Sequence, residues 1–247
     1  MYKIITCAEN PELVLEANKR VYAEWPEFML HDETSMRFSE LFQNLPQFQF
    51  VLVDSKTDAV VSFANSVPLA YDTEIQKLPD KGWDWALIKG LDEAIAGVTP
   101  TILCAIQIVV FGENRGKGIS QETLTAMKNN GKKFGLNSAV APVRPNRKHE
   151  FPNESIDDYI KRFREDGLPF DPWLRVHARV GASIVKPCPL SMTIKGTVTE
   201  WESWTTMKFK KSGFHIVPGA LSPVRISLED DHGVYIEPNV WMYHPKE

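Results

Sequence analysis

One short loop of this sequence has the residue types needed to hold an anion. From Gly112 to Ser120 it reads Gly-Glu-Asn-Arg-Gly-Lys-Gly-Ile-Ser, with three glycines and two basic side chains. Glycines let backbone N–H groups approach a phosphate closely, and the N-terminus of a following helix adds its dipole. The side chains of Arg115 and Lys117 add positive charge. The loop therefore predicts a binding site for a phosphate-bearing ligand.

Two common nucleotide-binding motifs do not match this loop. A P-loop needs four residues between its first glycine and Gly-Lys-Ser/Thr, whereas three residues separate Gly112 from Gly116, and Gly118 replaces the hydroxyl that would bind magnesium. The dinucleotide fingerprint G-x-G-x-x-G fails because Gln121 stands in place of its third glycine. An enzyme that binds nucleotide phosphates is therefore the disfavoured alternative.

The elements around the loop must position it. Thr101 to Phe111 is a nearly continuous apolar run, as expected of a central strand buried on both faces. A helix is predicted from about Ser120 to Phe134 and ends at Gly135, and Asn137 to Val143 forms the next strand. This succession of strand, glycine-rich loop, helix and strand predicts an α/β protein.

The first hundred residues predict further strands and helices. Asn10 and Pro11 are a suitable cap and first residue for a helix. A polar turn between two apolar runs predicts a hairpin. The predicted strands are 2–7, 48–53 and 59–67, and the further predicted helices are 34–42 and 83–96.

The loop resembles a known cofactor-binding motif. Arg115 to Ser120 is similar to the Arg-x-x-Gly-x-Gly/Ala acyl-CoA-binding motif of the GCN5-related N-acetyltransferase (GNAT) superfamily, with Ser120 as the last small residue. The resemblance implies acetyl-CoA or another acyl-CoA as co-substrate and no metal. It also implies that the N–H of Val110 polarises the thioester carbonyl. The residues implied to bind the co-substrate are Val109, Val110, Arg115, Gly116, Lys117, Gly118, Ile119 and Ser120.

Proton-transfer residues are less clearly marked. Family members often have Tyr-x-x-x-Gly at the end of a later helix, and placing Gly181 on that glycine puts His177 at the tyrosine. The resemblance thus implies His177 as general acid toward the departing CoA sulfur. Gln107 stands where some relatives carry a glutamate base. Glu202 and Glu237 are candidate bases, although a solvated strand face is the favoured place for both.

The predicted fold is α/β, with a GNAT-like mixed central β-sheet, parallel at its centre and flanked by helices, in a single domain spanning 1–247. Residues 144–170 are expected to be an insertion, with a short helix at 156–163, and a helix is expected from 171 to about 180. The extended C-terminal tail, 190–247, is expected to be β-rich, with strand-prone segments at 193–206, 214–217, 224–228 and 233–242. The tail's aromatic side chains are expected in a core rather than in an acceptor pocket: Trp201, Trp204, Phe209, Phe214, Tyr235, Trp241 and Tyr243.

Composition restricts the partners. The 28 basic and 32 acidic side chains give a net charge of -4, which disfavours nucleic acid and anionic membranes. Cys7, Cys104 and Cys188 form neither a disulfide framework nor a zinc motif, as in a reducing cytoplasm. Composition and cysteine content thus predict a cytoplasmic protein without a membrane segment. The family resemblance implies an N-acyltransferase for a small-molecule amine rather than a protein, and a homodimer is compatible with the sequence. The alternative is a non-catalytic CoA-binding module with the same fold.

Overall fold

The chain folds around one mixed sheet. The computed structural model describes residues 1–246 apart from the side chain of Glu113, so that side chain in the predicted loop and Glu247 at the end of the predicted tail lie outside the described residues. The strands are β1 (Tyr2–Thr6), β2 (Gln49–Asp54), β3 (Val60–Leu69), β4 (Ile102–Val110), β5 (Ala139–Val143), β6 (Ser183–Gly196), β7 (Gly213–His215), β8 (Val224–Ser227) and β9 (His232–His244).

Helices cover both faces of the sheet. The first begins as its sequence predicts, because the side chain of Asn10 accepts a hydrogen bond from Leu13 N and Pro11 is the first helical residue. The helix predicted at 34–42 is instead a 3-10 segment, Thr34–Ser39, followed by a short α-helix. The α-helices are α1 (Pro11–Val21), α2 (Glu40–Asn44), α3 (Gly82–Ile95), α4 (Ile119–Lys133), α5 (Ile156–Tyr159), α6 (Pro172–Arg179) and α7 (Val198–Thr205).

The sheet order explains where a site can form. The strands run β1-β2-β3-β4-β5-β9-β8-β7, with β6 paired to β9 outside this path. The β4–β5 pair is parallel and the other pairs are antiparallel, which confirms a mixed sheet that is parallel at its centre. Only Leu103 with Ala139 and Cys104 with Val140 are in register between β4 and β5. Beyond them the two strands separate, and we call this opening the strand gap.

The insertion and the tail are packed onto this frame. The amino group of buried Lys148 donates to the carbonyls of Phe151 and Leu221 at 2.7 and 2.8 Å, which ties the insertion to the tail. The tail is β-rich as expected, but the prediction of an extended segment at 193–206 is wrong over α7. There Thr197 and Glu200 form a capping box that starts a helix. Within residues 1–246, no helix is both long and apolar enough to cross a bilayer.

Candidate active site

The loop at 112–120 that is predicted to bind phosphate, which we call the phosphate loop, connects the end of β4 to the start of α4. Gly116 and Gly118 have φ angles of +77° and +79°, a left-handed conformation that glycine adopts without a steric penalty. The first helical hydrogen bonds run from Gln121 N and Glu122 N to Gly118 O, so the N–H groups that begin the helix remain available to an anion. A Cβ atom at Gly116 or Gly118 would meet no atom within 4 Å, so the loop is open to a ligand. These features fit a diphosphate.

The side chains of the loop differ in what they can contribute. The guanidinium of Arg115 forms an ion pair with Glu24 and donates from Nε to the carbonyl of Val110 at 3.3 Å. Its charge is therefore shared with Glu24 before any phosphate arrives. Lys117 is exposed, whereas the side chain of Ile119 is buried under the sheet, so Ile119 offers a ligand only its backbone.

Two backbone N–H groups of β4 face the strand gap. Phe111 N donates to Val61 O, and the β3–β4 register pairs Val110 with Ser62. Because hydrogen-bonded and non-hydrogen-bonded pairs alternate in an antiparallel ladder, the N–H groups of Val110 and Ile108 point away from β3 and into the gap. Val109, predicted to bind the co-substrate, instead directs its N–H toward β3, and its side chain packs in a core with α1.

The strand gap opens into a cavity of about 170 Å³. Ile108 is part of its wall, together with residues of β5, whereas Val110 is not. A second, more open cavity of about 740 Å³ shares part of that wall. The aromatic side chains on the wall of the first cavity are Tyr22, Trp25, Phe38, Trp83 and Trp173. Its polar side chains are Asn18, Ser35, Gln107, Arg144, His177, Glu237 and Asn239. None of the aromatic side chains of the tail lies on this wall among the described residues. The prediction of a core position is confirmed for Trp201, Phe209, Tyr235 and Trp241, which are buried, and is wrong for Phe214, which is 75% exposed.

A buried ion pair lies on the cavity wall. Arg144 Nε donates to Oε1 and Oε2 of Glu237 at 3.0 and 2.9 Å, and Tyr235 Oη donates to Glu237 Oε2 at 3.0 Å. Burial disfavours the charge of Arg144, but the neighbouring carboxylate outweighs burial and raises the pKa of the guanidinium. Glu237 is fully buried, so the expectation of a solvated strand face is wrong for it. Glu202 lies away from this wall and forms an ion pair with Lys208.

His177 reaches the cavity from α6. Its ring Nδ1 lies 3.0 Å from Nε2 of His244, and the edge of the Trp173 ring packs against it. Burial, with a smaller contribution from His244, lowers the pKa of His177 well below 6.5. Burial and the charge of Lys128 lower the pKa of His244 to about 4. Both rings are therefore neutral at neutral pH, and one donates its N–H to the other.

A pair of carboxyl groups lies next to the same wall, where the 3-10 segments meet α3. Asp32 accepts a hydrogen bond from Ser35 N at 3.2 Å and interacts with Asp84. Burial raises the pKa of both groups, and the charge of Asp32 helps to raise that of Asp84 to about 8. The pair therefore retains a shared proton at neutral pH.

Comparisons with known proteins relate the chain to an N-acetyltransferase and its fold to GNAT-like structures. No family model matches the chain. A curated relative, the arginine N-acetyltransferase avaD of Aspergillus versicolor, is 27% identical in an alignment 274 positions long, which covers 99% of this chain and 94% of the relative. Over almost its whole length, this chain is therefore similar to an N-acetyltransferase. Among solved structures, the loading GNATL domain of CurA from Lyngbya majuscula matches with a TM-score of 0.65 at 17% identity, covering 99% of this chain and 97% of that one. The GphF GNAT-like decarboxylase with isobutyryl-CoA matches with a TM-score of 0.55 at 15% identity, covering 99% and 98%.

The residues of the candidate site come from distant parts of the chain. The loop, the N–H of Val110 and the ring of His177 were predicted from the sequence, and they lie along or beside the strand gap. Sequence reasoning missed Ile108, His244 and Arg144. For Arg144 a signal was present, since a basic residue directly after an apolar strand can point back into the site.

Nucleophilic and metal chemistry find little support. Cys188, predicted to be structural, is buried, and burial raises the pKa of its thiol to about 12. A thiol with that pKa is protonated at neutral pH and is a poor nucleophile. Across the described residues, no cluster of three or more histidine, cysteine or acidic side chains could hold a metal ion.

Proposed function

We propose that this protein transfers the acyl group of acetyl-CoA, or of another acyl-CoA, to the amine of a small-molecule acceptor. The proposal is carried by one observation: the phosphate loop, two free β4 N–H groups and a polar cavity follow one another along the strand gap. The curated relative is named for arginine, so arginine is the first acceptor to test.

The backbone supplies the electrophilic part of the reaction. With the CoA phosphates on the loop, the thioester lies in the strand gap beside the N–H groups of Ile108 and Val110. Donation to the carbonyl oxygen stabilises the negative charge that develops there when the amine attacks. Val110 is the donor implied by the family resemblance. We favour Ile108 as well, because its position on the cavity wall brings it closer to the acceptor.

His177 assists the transfer of the amine proton in this proposal. The attacking amine must be neutral and loses a proton as the C–N bond forms, while the C–S bond breaks and the sulfur leaves as thiolate or thiol. The neutral ring of His177 carries one N–H and one lone pair. Because burial disfavours the imidazolium, the ring does not retain the proton. It can accept a hydrogen bond from the amine or donate one to the sulfur, while the amine proton passes to the departing thiolate, which leaves as the thiol.

The rival proposal is a non-catalytic CoA-binding module. It is favoured by Gln107, which stands where some family members carry a glutamate base, and by His177, which stands where family members often carry a tyrosine. Such a module would bind CoA at the same loop but would release no thiol with any amine.

A thermal-shift titration followed by an amine screen tests the proposal. At a concentration of 100 times Kd, acetyl-CoA should raise the Tm by about 5–11 °C, and free CoA should act similarly. ATP should give no comparable shift. Thiol release from acetyl-CoA in the presence of arginine or another small amine would support the enzyme. CoA binding without turnover over a broad amine panel would favour the module, and a stronger response to ATP would refute the loop assignment.

A further inference from the structure

The cavity wall carries one positive and one negative side chain, and both retain hydrogen-bonding capacity. We propose that the Arg144–Glu237 ion pair, with the unpartnered polar atoms beside it, binds the carboxylate and the amine of a free α-amino acid. The acceptor is then an α-amino acid rather than an amine without a carboxylate. This inference rests on the proposed N-acyltransferase function and specifies its acceptor.

The donors for a carboxylate lie together. Arg144 has five N–H donors, of which Nε binds Glu237, Nη2 binds the carbonyl of Gly219 at 2.6 Å, and a further contact is made with Tyr235. The remaining N–H groups are available to a ligand. The guanidinium carbon of Arg144 lies 5.8 Å from the centre of the Trp25 ring, and the indole N–H of Trp25 is buried without a partner among the described residues. This guanidinium and the indole N–H are the candidate donors for a carboxylate.

The acceptors for an ammonium group also line this cavity. Asn239 donates from Nδ2 to Ser191 Oγ at 2.9 Å and toward Pro142 O at 3.4 Å, which fixes its amide orientation. Its Oδ1 is buried without a partner in the described part of the chain, and so is Oε1 of Gln107. Leaving a buried acceptor unpaired is unfavourable, so these two oxygens favour a ligand rich in N–H groups. Glu237, two residues before Asn239 on β9, projects from the same face of the strand.

The charge of the cavity selects between two kinds of amine. Arg144 and Glu237 carry the formal charges among the described wall residues, and these cancel, since His177 is neutral. The α-ammonium and α-carboxylate groups of an amino acid together add no net charge, and each pairs with one member of the ion pair. An amine without a carboxylate adds a positive charge that competes with Arg144 for one carboxylate, and burying it is unfavourable. The volume of about 170 Å³ is below the range of about 300–1,000 Å³ typical of sites for drug-sized ligands, which fits a small acceptor.

The wild-type enzyme provides the first test. Acetyl transfer is measured for paired acceptors that differ by the carboxylate: arginine with agmatine, histidine with histamine, tyrosine with tyramine, and lysine with cadaverine. For the amino acid that the enzyme accepts best, kcat/KM should exceed that of its decarboxylated partner by about 10- to 150-fold, the range expected for hydrogen bonds to a charged group. Its carboxamide should behave like the decarboxylated amine. Equal or faster transfer to the decarboxylated amines would overturn the inference and leave the proposed function intact.

A double variant tests the residues. Arg144→Met with Glu237→Gln removes both charges together, because removing one alone leaves the other buried and unpaired. The matched control is Arg147→Met with Glu150→Gln, which removes a partly exposed pair whose Nη2–Oε2 distance is 2.6 Å. The first double variant should lower the carboxylate preference to near unity, and the control should keep it.

The CoA-induced Tm shift separates the outcomes. A normal shift in the Arg144/Glu237 variant shows a folded co-substrate site, so an unchanged carboxylate preference there would overturn the assignment to these residues. If that variant does not fold, the wild-type acceptor pairs still decide the substrate class. CoA binding without transfer to any amine would overturn both this inference and the proposed function.

Discussion

Gly118 is the position at which a side chain would most directly test the phosphate loop. Its φ of +79° lies in the left-handed region, where a residue with a Cβ atom costs about 1–2 kcal/mol. No atom lies within 4 Å of a built Cβ, so no steric clash adds to this cost. Both Gly118→Ala and Gly118→Glu should therefore fold, with a Tm lowered by about 2–8 °C.

The two variants differ in charge at the start of α4. A carboxylate in the loop opposes a phosphate oxygen by about 4 kcal/mol per pair of unit charges at 4 Å and an effective dielectric constant of 20, which corresponds to roughly a thousandfold loss of affinity. We therefore expect Gly118→Glu to bind acetyl-CoA at least about 100-fold more weakly than Gly118→Ala. Calorimetric titration of the wild type and both variants measures this difference. Equal affinities in the two variants would refute the assignment of the phosphates to this loop.

Three further predictions concern pH and the strand gap. Below pH 6.5 the histidines of the unfolded chain take up protons before buried His177 and His244 do. The free energy of unfolding should therefore be highest above pH 6.5 and should decrease toward pH 4, by about 3 kcal/mol for His244 alone. Urea denaturation measures this, and a pH-independent result would contradict the burial of neutral rings. The pKa of Asp84 is raised from 3.8 to about 8. Protonated Asp84 therefore makes its whole contribution to the stability of the folded protein below pH 3.8, and this contribution is lost as the pH rises through 8. Asp84→Asn should consequently be more stable than the wild type at pH 9, and equal urea midpoints there would argue against the shared proton. Ile108→Pro and Val110→Pro each remove one N–H that faces the gap. The substitution that removes the N–H bound to the oxyanion should lower kcat by about 10²- to 10³-fold. An unchanged CoA-induced Tm shift is the control for both, and full activity in both would exclude backbone stabilisation by β4.

Local sequence patterns were sufficient to predict the strands and helices around the glycine-rich loop. The apolar run that became β4, the glycines before α4 and the capped start of α1 each carry their own short-range signal, and the structure confirms these elements. The segment that became α7 was misread, because its aromatic and threonine residues favour strands. The capping box at Thr197 and the burial of Trp201 outweighed that preference.

The cavity could not be predicted in the same way. Glu237 lies between aromatic and apolar neighbours in a segment with strand-like alternation, which places it on a solvated face if only one side of the sheet is covered. The neighbouring positions of β5 and β9 bring it to Arg144, 93 residues away in the chain, and this ion pair satisfies its buried charge. His177 and His244 come together over 67 residues for the same reason.

The sequence by itself determined the elements on both sides of the glycine-rich loop and the loop itself, because hydrophobic periodicity, caps and glycines act within a few residues of one another. Only the tertiary structure decided which groups face a ligand. The separation of β4 from β5 frees the N–H groups of Ile108 and Val110, and the packing of α6 and β9 around that opening places His177, Glu237 and Asn239 on one wall. Those positions depend on strand register and on long-range packing, which no local pattern of residues specifies.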